Sequence, residues 1–241
     1  MKTLLSWSSG KDAAYTLHRL ILSNEKPDLL LTTVNKDFGR VSMHGIRIDL
    51  LERQARETGI ALYQIPLPAD TDMQTYNQIM EMQLKKLNRQ GYTAAVFGDI
   101  FLEDLKEYRI KQLKQVSFQA KFPIWGENSK ILARKIIDSG IKAVVVSINA
   151  AKLDKSFVGR QYDEDFLKDL PETVDWCGEN GEFHTFVYDA PYFNNAINYT
   201  IGEKIFKKYK ACSNSDQNSF QKKAKKTQTK WDTGFWYAEL I

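Results

Sequence analysis

Apolar residues recur along the first 150 positions in two alternating patterns. Continuous runs of β-prone residues predict strands buried on both faces, as in parallel sheets. These runs cover residues 3–7, 29–34, 61–65, 94–97 and 143–148. Between them, apolar residues at helical spacing predict helices around Leu17, Leu50, Leu84, residues 103–118 and Leu132. Strands that alternate with helices indicate βα units, and so an α/β fold with a parallel sheet and helices on both faces.

The pattern changes after about residue 150, where helical stripes become scarce. Short β-prone runs appear at residues 183–188, 197–201, 205–209 and 235–240. We therefore predict two domains: residues 1–150 as the α/β domain and residues 151–241 as a smaller, strand-rich domain. The polar stretch 213–229 predicts a hairpin tip or a loop.

A short loop of small residues joins the first predicted strand to the first helix. It consists of Ser8, Ser9 and Gly10, followed by Lys11 and Asp12. The start of a helix leaves backbone N–H groups unpaired and carries a partial positive charge, which suits a phosphate. Lys11 adds a full positive charge and the two serine hydroxyls add donors. The spacing differs from a Walker A loop, and an ordinary capped turn remains the alternative.

Two more polar segments follow strand ends. Residues 35–39 follow the second predicted strand, and Gly98 and Asp99 follow the fourth. Ligands of parallel α/β sheets lie beyond the carboxyl ends of the strands. We therefore expect these segments and the first loop to share one site.

Residues 176–186 hold the densest group of polar side chains in the second half. Glu179, Asn180, Glu182, His184 and Thr185 stand within seven positions of one another, around Gly181 and the start of a predicted strand. Two carboxylates and an imidazole suit acid–base chemistry, metal binding or recognition of a cationic group. Since side chains alternate along a strand, Glu182 and His184 should share one face and Thr185 the other. A polar surface turn is the alternative.

Charge and cysteine content indicate which partners and which cellular compartment to expect. The 241-residue chain has a net charge of +4, yet nine lysines and one acidic residue stand between Lys204 and Lys230. That segment predicts a solvated hairpin or attraction of a polyanion such as RNA. Cys177 and Cys212 have no metal-binding spacing, and no signal-peptide or membrane-spanning run is present. We expect a cytoplasmic protein without a membrane partner.

The motifs together resemble a known family. The loop is similar to the Ser-Gly-Gly-Lys-Asp-Ser loop of N-type ATP pyrophosphatases, except at Ser9 and Ala13. With the 179–185 segment, Gly98-Asp99-Ile100 and Pro123-Ile124-Trp125, the chain resembles the diphthine–ammonia ligase family. The resemblance extends along almost the whole chain. It implies an adenine nucleotide alpha hydrolase-like, Rossmann-like fold.

The resemblance also implies a reaction and its residues. ATP would activate a carboxylate acceptor, on a small molecule or a protein; pyrophosphate would leave, and ammonia would displace AMP to give an amide. The resemblance implies catalytic roles for Lys11, Asp12, Glu182 and His184, and Mg²⁺ binding by Asp12 or Asp99. ATP would be bound by Ser8, Ser9, Gly10, Lys11, Asp12, Asn35, Gly98 and Asp99. The acceptor would be bound by Glu179, Asn180, Glu182, His184 and Thr185.

His184 departs from the pattern of members tied to diphthamide synthesis, which tend to carry Glu at this position. The Glu-Asn-Gly-Glu-Phe-His-Thr form is similar to bacterial relatives, so the reaction class transfers better than the acceptor. An RNA-modifying ATP pyrophosphatase and a non-catalytic ATP-binding regulator remain alternatives.

Overall fold

A computed structural model describes residues 2–41, 45–208 and 234–241 of the chain. Two sheets organise these residues. The first contains strands from the N-terminal half of the chain, and the second contains strands from residue 142 onwards.

The first sheet contains five parallel strands and one short antiparallel strand. Its strands are β1 (Lys2–Ser6), β2 (Leu29–Asn35), β3 (Arg40–Val41), β4 (Ala61–Leu67), β5 (Tyr92–Val96) and β6 (Gln119–Lys121). The parallel strands lie in the order β4-β2-β1-β5-β6, and β3 pairs antiparallel with the end of β2. Numbered among themselves, the parallel strands follow the order 3-2-1-4-5 of doubly wound folds, which reverses direction between β1 and β5.

Helices cover both faces of this sheet, as predicted. They are α1 (Lys11–Leu22), α2 (Ile48–Thr58), α3 (Met73–Arg89), α4 (Glu103–Gln115) and α5 (Ser129–Asp138). On one face α1, α2 and α5 bury Leu17, Leu50 and Leu132. On the other face α3 and α4 bury Leu84 and Leu113 in a separate core. Each helix buries one apolar stripe, which is why their spacing could be recognised in the sequence.

The second sheet is antiparallel. It consists of β7 (Lys142–Asn149), β8 (Phe183–Asp189), β9 (Ile201–Lys208) and β10 (Gly234–Leu240), in the order β8-β7-β10-β9. A short 3-10 helix (Lys155–Phe157) and helix α6 (Glu164–Asp169) lie between β7 and β8. The α/β fold with an additional strand-rich sheet is confirmed.

The placement of residues 143–148 in the parallel sheet was wrong. These residues form β7, which pairs with β8 and β10 in the antiparallel sheet. Residues 143–148 of β7 are all buried, so the run resembles a parallel strand in sequence. The change of sheet therefore precedes Lys142, whereas the domain boundary at residue 150 stays a prediction.

Other strands differ in extent from the prediction. The separate strands expected at 197–201 and 205–209 are one strand, β9, which starts at Ile201. Strand β4 continues through Pro66, because it lies at an edge of the sheet where proline is tolerated. Tyr209, His44 and the polar stretch 213–229 lie outside the described residues. Within the described ranges, no helix has the length and apolar character needed to cross a membrane.

Candidate functional site

The candidate site lies where the strand order reverses, between the carboxyl ends of β1 and β5. Ser8 follows β1 here, and Gly98 follows β5. A Cβ atom on Gly98 would lie 3.0 Å from the backbone carbon and oxygen of Asp12. Glycine at this position therefore lets the two loops pack together. The predicted convergence of the first loop with residues 98–99 corresponds to this packing.

The loop itself has an unusual backbone. Ser9 has a φ of 72°, in the left-handed region that favours glycine. Its side chain is fully buried, and its hydroxyl has no hydrogen-bond partner. The role of this hydroxyl towards a phosphate stays a prediction. The amide N–H groups of Ser8 and Ser9 donate to no acceptor within the described part of the chain.

The antiparallel sheet supports the loop directly. The backbone N–H of Lys11 donates to the hydroxyl of Thr185 at 3.1 Å. The N–H of Val187 donates to the carbonyl of Ser9 at 3.0 Å. Thr185, predicted to bind the acceptor, thus caps the first turn of α1.

Gln54 on α2 forms hydrogen bonds with both the loop and strand β8. Its side-chain amide donates to the carbonyls of Ser9 (3.0 Å) and Val187 (2.6 Å). Its side-chain oxygen accepts from the indole N–H of Trp7 at 3.0 Å. Gln54 is fully buried, so these three bonds satisfy a polar group inside the core.

The ammonium of Lys11 is turned towards the second half of the chain. Nζ donates to Asp12 Oδ2 at 2.8 Å and to the carbonyl of Cys177. It lies 5.3 Å from the ring centroids of both Tyr162 and Phe183, and the side chain is 2% exposed. Burial lowers the pKa of Lys11, but the Asp12 carboxylate and the other acidic groups nearby together outweigh burial, so the pKa is raised. The predicted role of this ammonium towards a phosphate stays a prediction.

Glu179 brings the second sheet's polar turn to the same place. Its Oε1 accepts a hydrogen bond from the N–H of Ile100 at 2.8 Å. Burial, with the nearby charge of Asp12, raises the pKa of Glu179 to about 7. The turn therefore lies over the carboxyl end of β5, beside the first loop.

The carboxylate of Glu182 is buried and hydrogen-bonded within its own turn. It is 3% exposed and accepts from the N–H groups of Asp175 (3.3 Å) and Asn180 (3.0 Å). The Asn180 side chain donates to it at 3.1 Å. These bonds hold the turn in shape and account for the burial of Glu182. Roles for Glu182 and Asn180 towards ammonia or the acceptor stay predictions.

His184 is half-buried on β8, opposite Ser147 on β7. Burial and the charge of Lys11 lower the pKa of His184 to about 4. It is therefore neutral at physiological pH. The alternation of faces agrees with the sequence, because Phe183 and Thr185, two positions apart, both contact Lys11.

Asp99 and Asn35 have partners of their own. The Asp99 carboxylate receives two hydrogen bonds from Arg109 on α4, at 2.6 and 3.1 Å. The Asn35 side chain accepts from the N–H groups of Asp37 and Phe38, which shapes the loop after β2. Their roles towards Mg²⁺ and adenosine stay predictions. Within the described residues, no group of three or more His, Cys, Asp or Glu side chains could hold a metal ion.

A cavity of about 140 Å³ opens beside the loop, between the sheet and helices α3 and α4. Its lining includes Ser8, Thr32, Tyr76, Tyr108 and Arg109. Burial raises the pKa of Tyr108 to about 12, so its hydroxyl is a neutral donor. The cavity combines aromatic walls with a few polar groups, as small-molecule sites do.

Sequence reasoning missed three side chains of this site: Gln54, Tyr162 and Arg109. Gln54 carried a signal, since it stands four positions after Leu50 and three after Leu51 on the apolar stripe of α2. Tyr162 gave none, because it contacts Lys11 from the other half of the chain. Arg109 gave none either, because nothing in the polar sequence of α4 distinguishes the residue that bonds to Asp99.

Comparisons with known proteins identify the family of the chain. A sequence profile of the diphthamide synthase N-terminal domain matches residues 1–117, and one of the C-terminal domain matches residues 128–219. Together they account for most of the chain. The chain therefore belongs to the diphthamide synthase family.

Individual relatives are distant in sequence. The chain is 23% identical over 224 residues to the diphthine–ammonia ligase of Rattus norvegicus, with 82% of each chain covered. It is 24% identical over 216 residues to the human diphthine–ammonia ligase, with 79% of each covered. A solved structure described as a predicted subunit of tRNA methyltransferase from Methanocaldococcus jannaschii has a TM-score of 0.43 and 17% identity, over 79% of this chain and 98% of that one.

Proposed function

We propose that this protein is an ATP-dependent ligase that converts a carboxylate into an amide with ammonia, releasing AMP and pyrophosphate. The observation that carries the proposal is the contact of Glu179 with Ile100. It brings a carboxylate from the second half of the chain beside the loop at the sheet's switch point. A site for nucleotide and a site for acid–base chemistry thereby adjoin.

The nucleotide has a natural orientation in this site. The amides of Ser8 and Ser9 and the N-terminus of α1 suit the phosphates. The adjacent cavity suits part of the nucleoside, since it is smaller than the roughly 300 Å³ of a small complete ligand pocket. Tyr76 and Tyr108 offer rings to a purine, and the Tyr108 hydroxyl donates to Asn77 Oδ1.

Mg²⁺ fits the donor set through one carboxylate. Mg²⁺ is usually held by one or two carboxylates together with substrate phosphates and water. Each carboxylate is paired with a cation, since both oxygens of Asp12 accept from Lys11 and both oxygens of Asp99 accept from Arg109. Asp12 is half-buried in the first turn of α1, directly after the loop that suits the phosphates, so we assign Asp12 as the Mg²⁺ ligand and Asp99 as a support for the loop after β5. When bound, Mg²⁺ would neutralise phosphate charge.

The reaction balances in two steps. A carboxylate oxygen of the acceptor attacks the α-phosphorus of ATP, and the bond to pyrophosphate breaks. Ammonia then attacks the acyl carbon, the bond to AMP breaks, and the nitrogen loses a proton. Glu179 suits that proton, because a group with a pKa of about 7 is half ionised at neutral pH. His184, with a pKa of about 4, is a weaker base.

The acceptor is the least constrained part of the proposal. Curated relatives are diphthine–ammonia ligases, so diphthine is the first acceptor to test. His184 favours testing other carboxylates as well, on small molecules and on proteins. The turn around Glu179 covers the strand ends and would shield an acyl-adenylate from water.

The test is product analysis with Mg²⁺-ATP, ammonium and a panel of carboxylate acceptors including diphthine. We expect AMP and pyrophosphate in equal amounts, and their loss in Glu179→Gln. ADP and phosphate would contradict the proposal. Tight ATP binding without turnover across the panel would favour the non-catalytic regulator.

ATP binding is tested separately by calorimetry. We expect Lys11→Ala to weaken it strongly, and Lys142→Ala, which removes an exposed lysine, to leave it unchanged. Unchanged ATP affinity in a folded Lys11→Ala variant would contradict the assignment of the loop.

RNA is a second candidate partner, favoured by one surface. Lys155 lies 4.3 Å from the ring centroid of Trp236, and Phe206 lies 5.0 Å from the same ring. Lysines beside exposed rings suit stacked bases and phosphates. RNA that co-purifies with the wild type, but not with a Lys155→Glu, Trp236→Ala variant, would support an RNA-modifying ATP pyrophosphatase.

A further inference from the structure

The rings of Tyr162 and Phe183 both lie beside the ammonium of Lys11. Both ring centroids lie 5.3 Å from Nζ, within the range of cation–π attraction. Both residues are almost fully buried, at 3% and 2% exposure. Water therefore does not compete for this face of the ammonium.

The rings act on Lys11 through charge and not through hydrogen bonds. An ammonium has three N–H donors. Among the described residues they have three acceptor atoms, the two carboxylate oxygens of Asp12 and the carbonyl of Cys177. The two rings add electrostatic attraction, because the face of an aromatic ring carries partial negative charge.

The rings are themselves fixed in place. The N–H of Tyr162 donates to the carbonyl of Ala143, and its hydroxyl donates to the carbonyl of Trp176 at 2.9 Å. Fully buried Phe166 packs against both rings, with centroids 5.6 Å from Tyr162 and 5.2 Å from Phe183. The pocket for the ammonium is thus preformed by the second half of the chain.

We propose that Tyr162, together with Phe183, is a positioning residue that holds the Lys11 ammonium against Asp12. The expected effect on ATP binding rests on the proposed function, whereas the contact between the rings and Lys11 does not depend on it. Without the rings, Lys11 would adopt other rotamers, and Asp12 would lose the partner that orients its carboxylate. The second half of the chain thereby sets the geometry of a loop encoded near the N-terminus.

The test compares Tyr162→Met, which keeps buried volume but removes the ring, with Tyr162→Phe, which keeps the ring but loses the hydroxyl. Tyr199→Met is a matched control, because Tyr199 packs on Phe186 and Tyr188 in the same half of the chain. The first readout is the rate of lysine acetylation by acetic anhydride, measured by mass spectrometry. Lys142, which is 59% exposed, serves as the internal reference.

We expect Tyr162→Met to raise acetylation of Lys11 relative to Lys142 about tenfold, since removal of a buried cation–π contact exposes the amine. Tyr162→Phe and Tyr199→Met should match the wild type. A folded Tyr162→Met variant with unchanged Lys11 acetylation would overturn the proposal. Should Tyr162→Met fail to fold, Phe183→Met carries the same expectation.

The second readout is the dissociation constant for Mg²⁺-ATP. We expect it to rise about tenfold in Tyr162→Met and to stay unchanged in Tyr162→Phe. Tighter ATP binding in Tyr162→Met would overturn the proposal, because the rings would then hold Lys11 away from the nucleotide. Increased acetylation with unchanged ATP affinity would leave the contact established and instead contradict the role of Lys11 in ATP binding.

Discussion

The hydroxyl of Thr185, on a strand of the antiparallel sheet, accepts a hydrogen bond from the backbone N–H of Lys11, 174 positions earlier in the chain. The N-cap of α1 is Gly10, which offers no side-chain acceptor. Thr185 therefore supplies from a distant segment the cap that most helices receive locally. The phosphate-type loop and the second sheet form one structural unit at this point.

Removal of this cap should loosen the loop. We expect Thr185→Val to lower the free energy of unfolding by about 1 kcal/mol, the usual cost of losing a helix cap. Thr185→Ser keeps the hydroxyl and should lose less. Urea unfolding of both variants measures the difference. Equal midpoints for Val and Ser would show that the hydroxyl contributes nothing.

Replacement of Ser9 by glycine should stabilise the folded protein. A left-handed conformation costs a non-glycine residue roughly 1–2 kcal/mol. Ser9→Gly removes this cost, but part of the gain is offset because glycine has more conformational freedom in the unfolded chain. Since the Ser9 hydroxyl is also buried without a partner, we expect Ser9→Gly to be about 1 kcal/mol more stable than the wild type. Ser9→Ala separates the two causes, because it removes the hydroxyl but keeps the backbone cost. Thermal unfolding decides; a less stable Ser9→Gly would refute this account of the loop.

Local pattern was enough to predict most of the first sheet and its helices. Strand β1, the loop at Ser8 and helix α1 follow from adjacent residues, and so does their position at the carboxyl end of a strand. Strand β7 shows where this reasoning fails. Its continuous run of apolar residues indicates burial on both faces. Burial on both faces occurs in parallel strands and also in the central strands of a covered antiparallel sheet. Only its partners, β8 and β10, distinguish the two.

The site was predicted in part for a similar reason. The family resemblance implied that Glu179 binds the acceptor, and Glu179 contacts Ile100 beside the loop, although its role stays a prediction. Residue types and spacing did not predict that Glu182 would be used inside its own turn, or that Lys11 would lie between Tyr162 and Phe183. Such contacts depend on distances across the fold, which a single sequence does not encode as a visible pattern.

Gln54 should be essential for stability although it touches no predicted ligand. Gln54→Leu would remove the partner of the buried Trp7 indole N–H and a bond to the carbonyl of Val187, and would leave the carbonyl of Ser9 with only its bond from the Val187 N–H. We expect a loss of about 3 kcal/mol in the free energy of unfolding, because each unsatisfied buried group costs about 1–3 kcal/mol. Gln64→Leu, which removes only a surface bond to Glu52, is the control. Similar unfolding midpoints for the two variants would contradict the role of Gln54.

His184 should remain neutral throughout the physiological range. Its lowered pKa, about 4, predicts that its ring resonances in an NMR titration stay in the neutral form down to about pH 5. In the unfolded chain the same group binds a proton near pH 6.5. The contribution of His184 to stability should therefore be lost as the pH drops from 6.5 towards 4, so that the difference in stability between the wild type and His184→Gln changes over this range. Titration of His184 near pH 6.5 in the folded protein would contradict its burial beside Lys11.

Glu179 should make the protein without nucleotide or Mg²⁺ less stable at neutral pH than at acid pH. Burial raises its pKa to about 7 in the folded state, whereas the ordinary pKa of a glutamate is 4.5. Between these values the folded state holds a proton that the unfolded state has lost. Its stabilising contribution is therefore complete below pH 4.5 and disappears as the pH rises through 7. The shift corresponds to about 3 kcal/mol.

Glu179→Gln isolates this effect, because the amide oxygen can still accept from Ile100 while the titrating proton is gone. We expect Glu179→Gln to unfold at a higher denaturant concentration than the wild type at pH 8, with a smaller difference at pH 5. Glu172→Gln neutralises an exposed carboxylate five positions before Cys177, and so controls for the change in net charge. A constant difference between Glu179→Gln and the wild type across this range would show that Glu179 does not titrate near neutrality. In that case it could not serve as the base that takes a proton from ammonia, and the acid–base part of the proposed reaction would have to pass to another group.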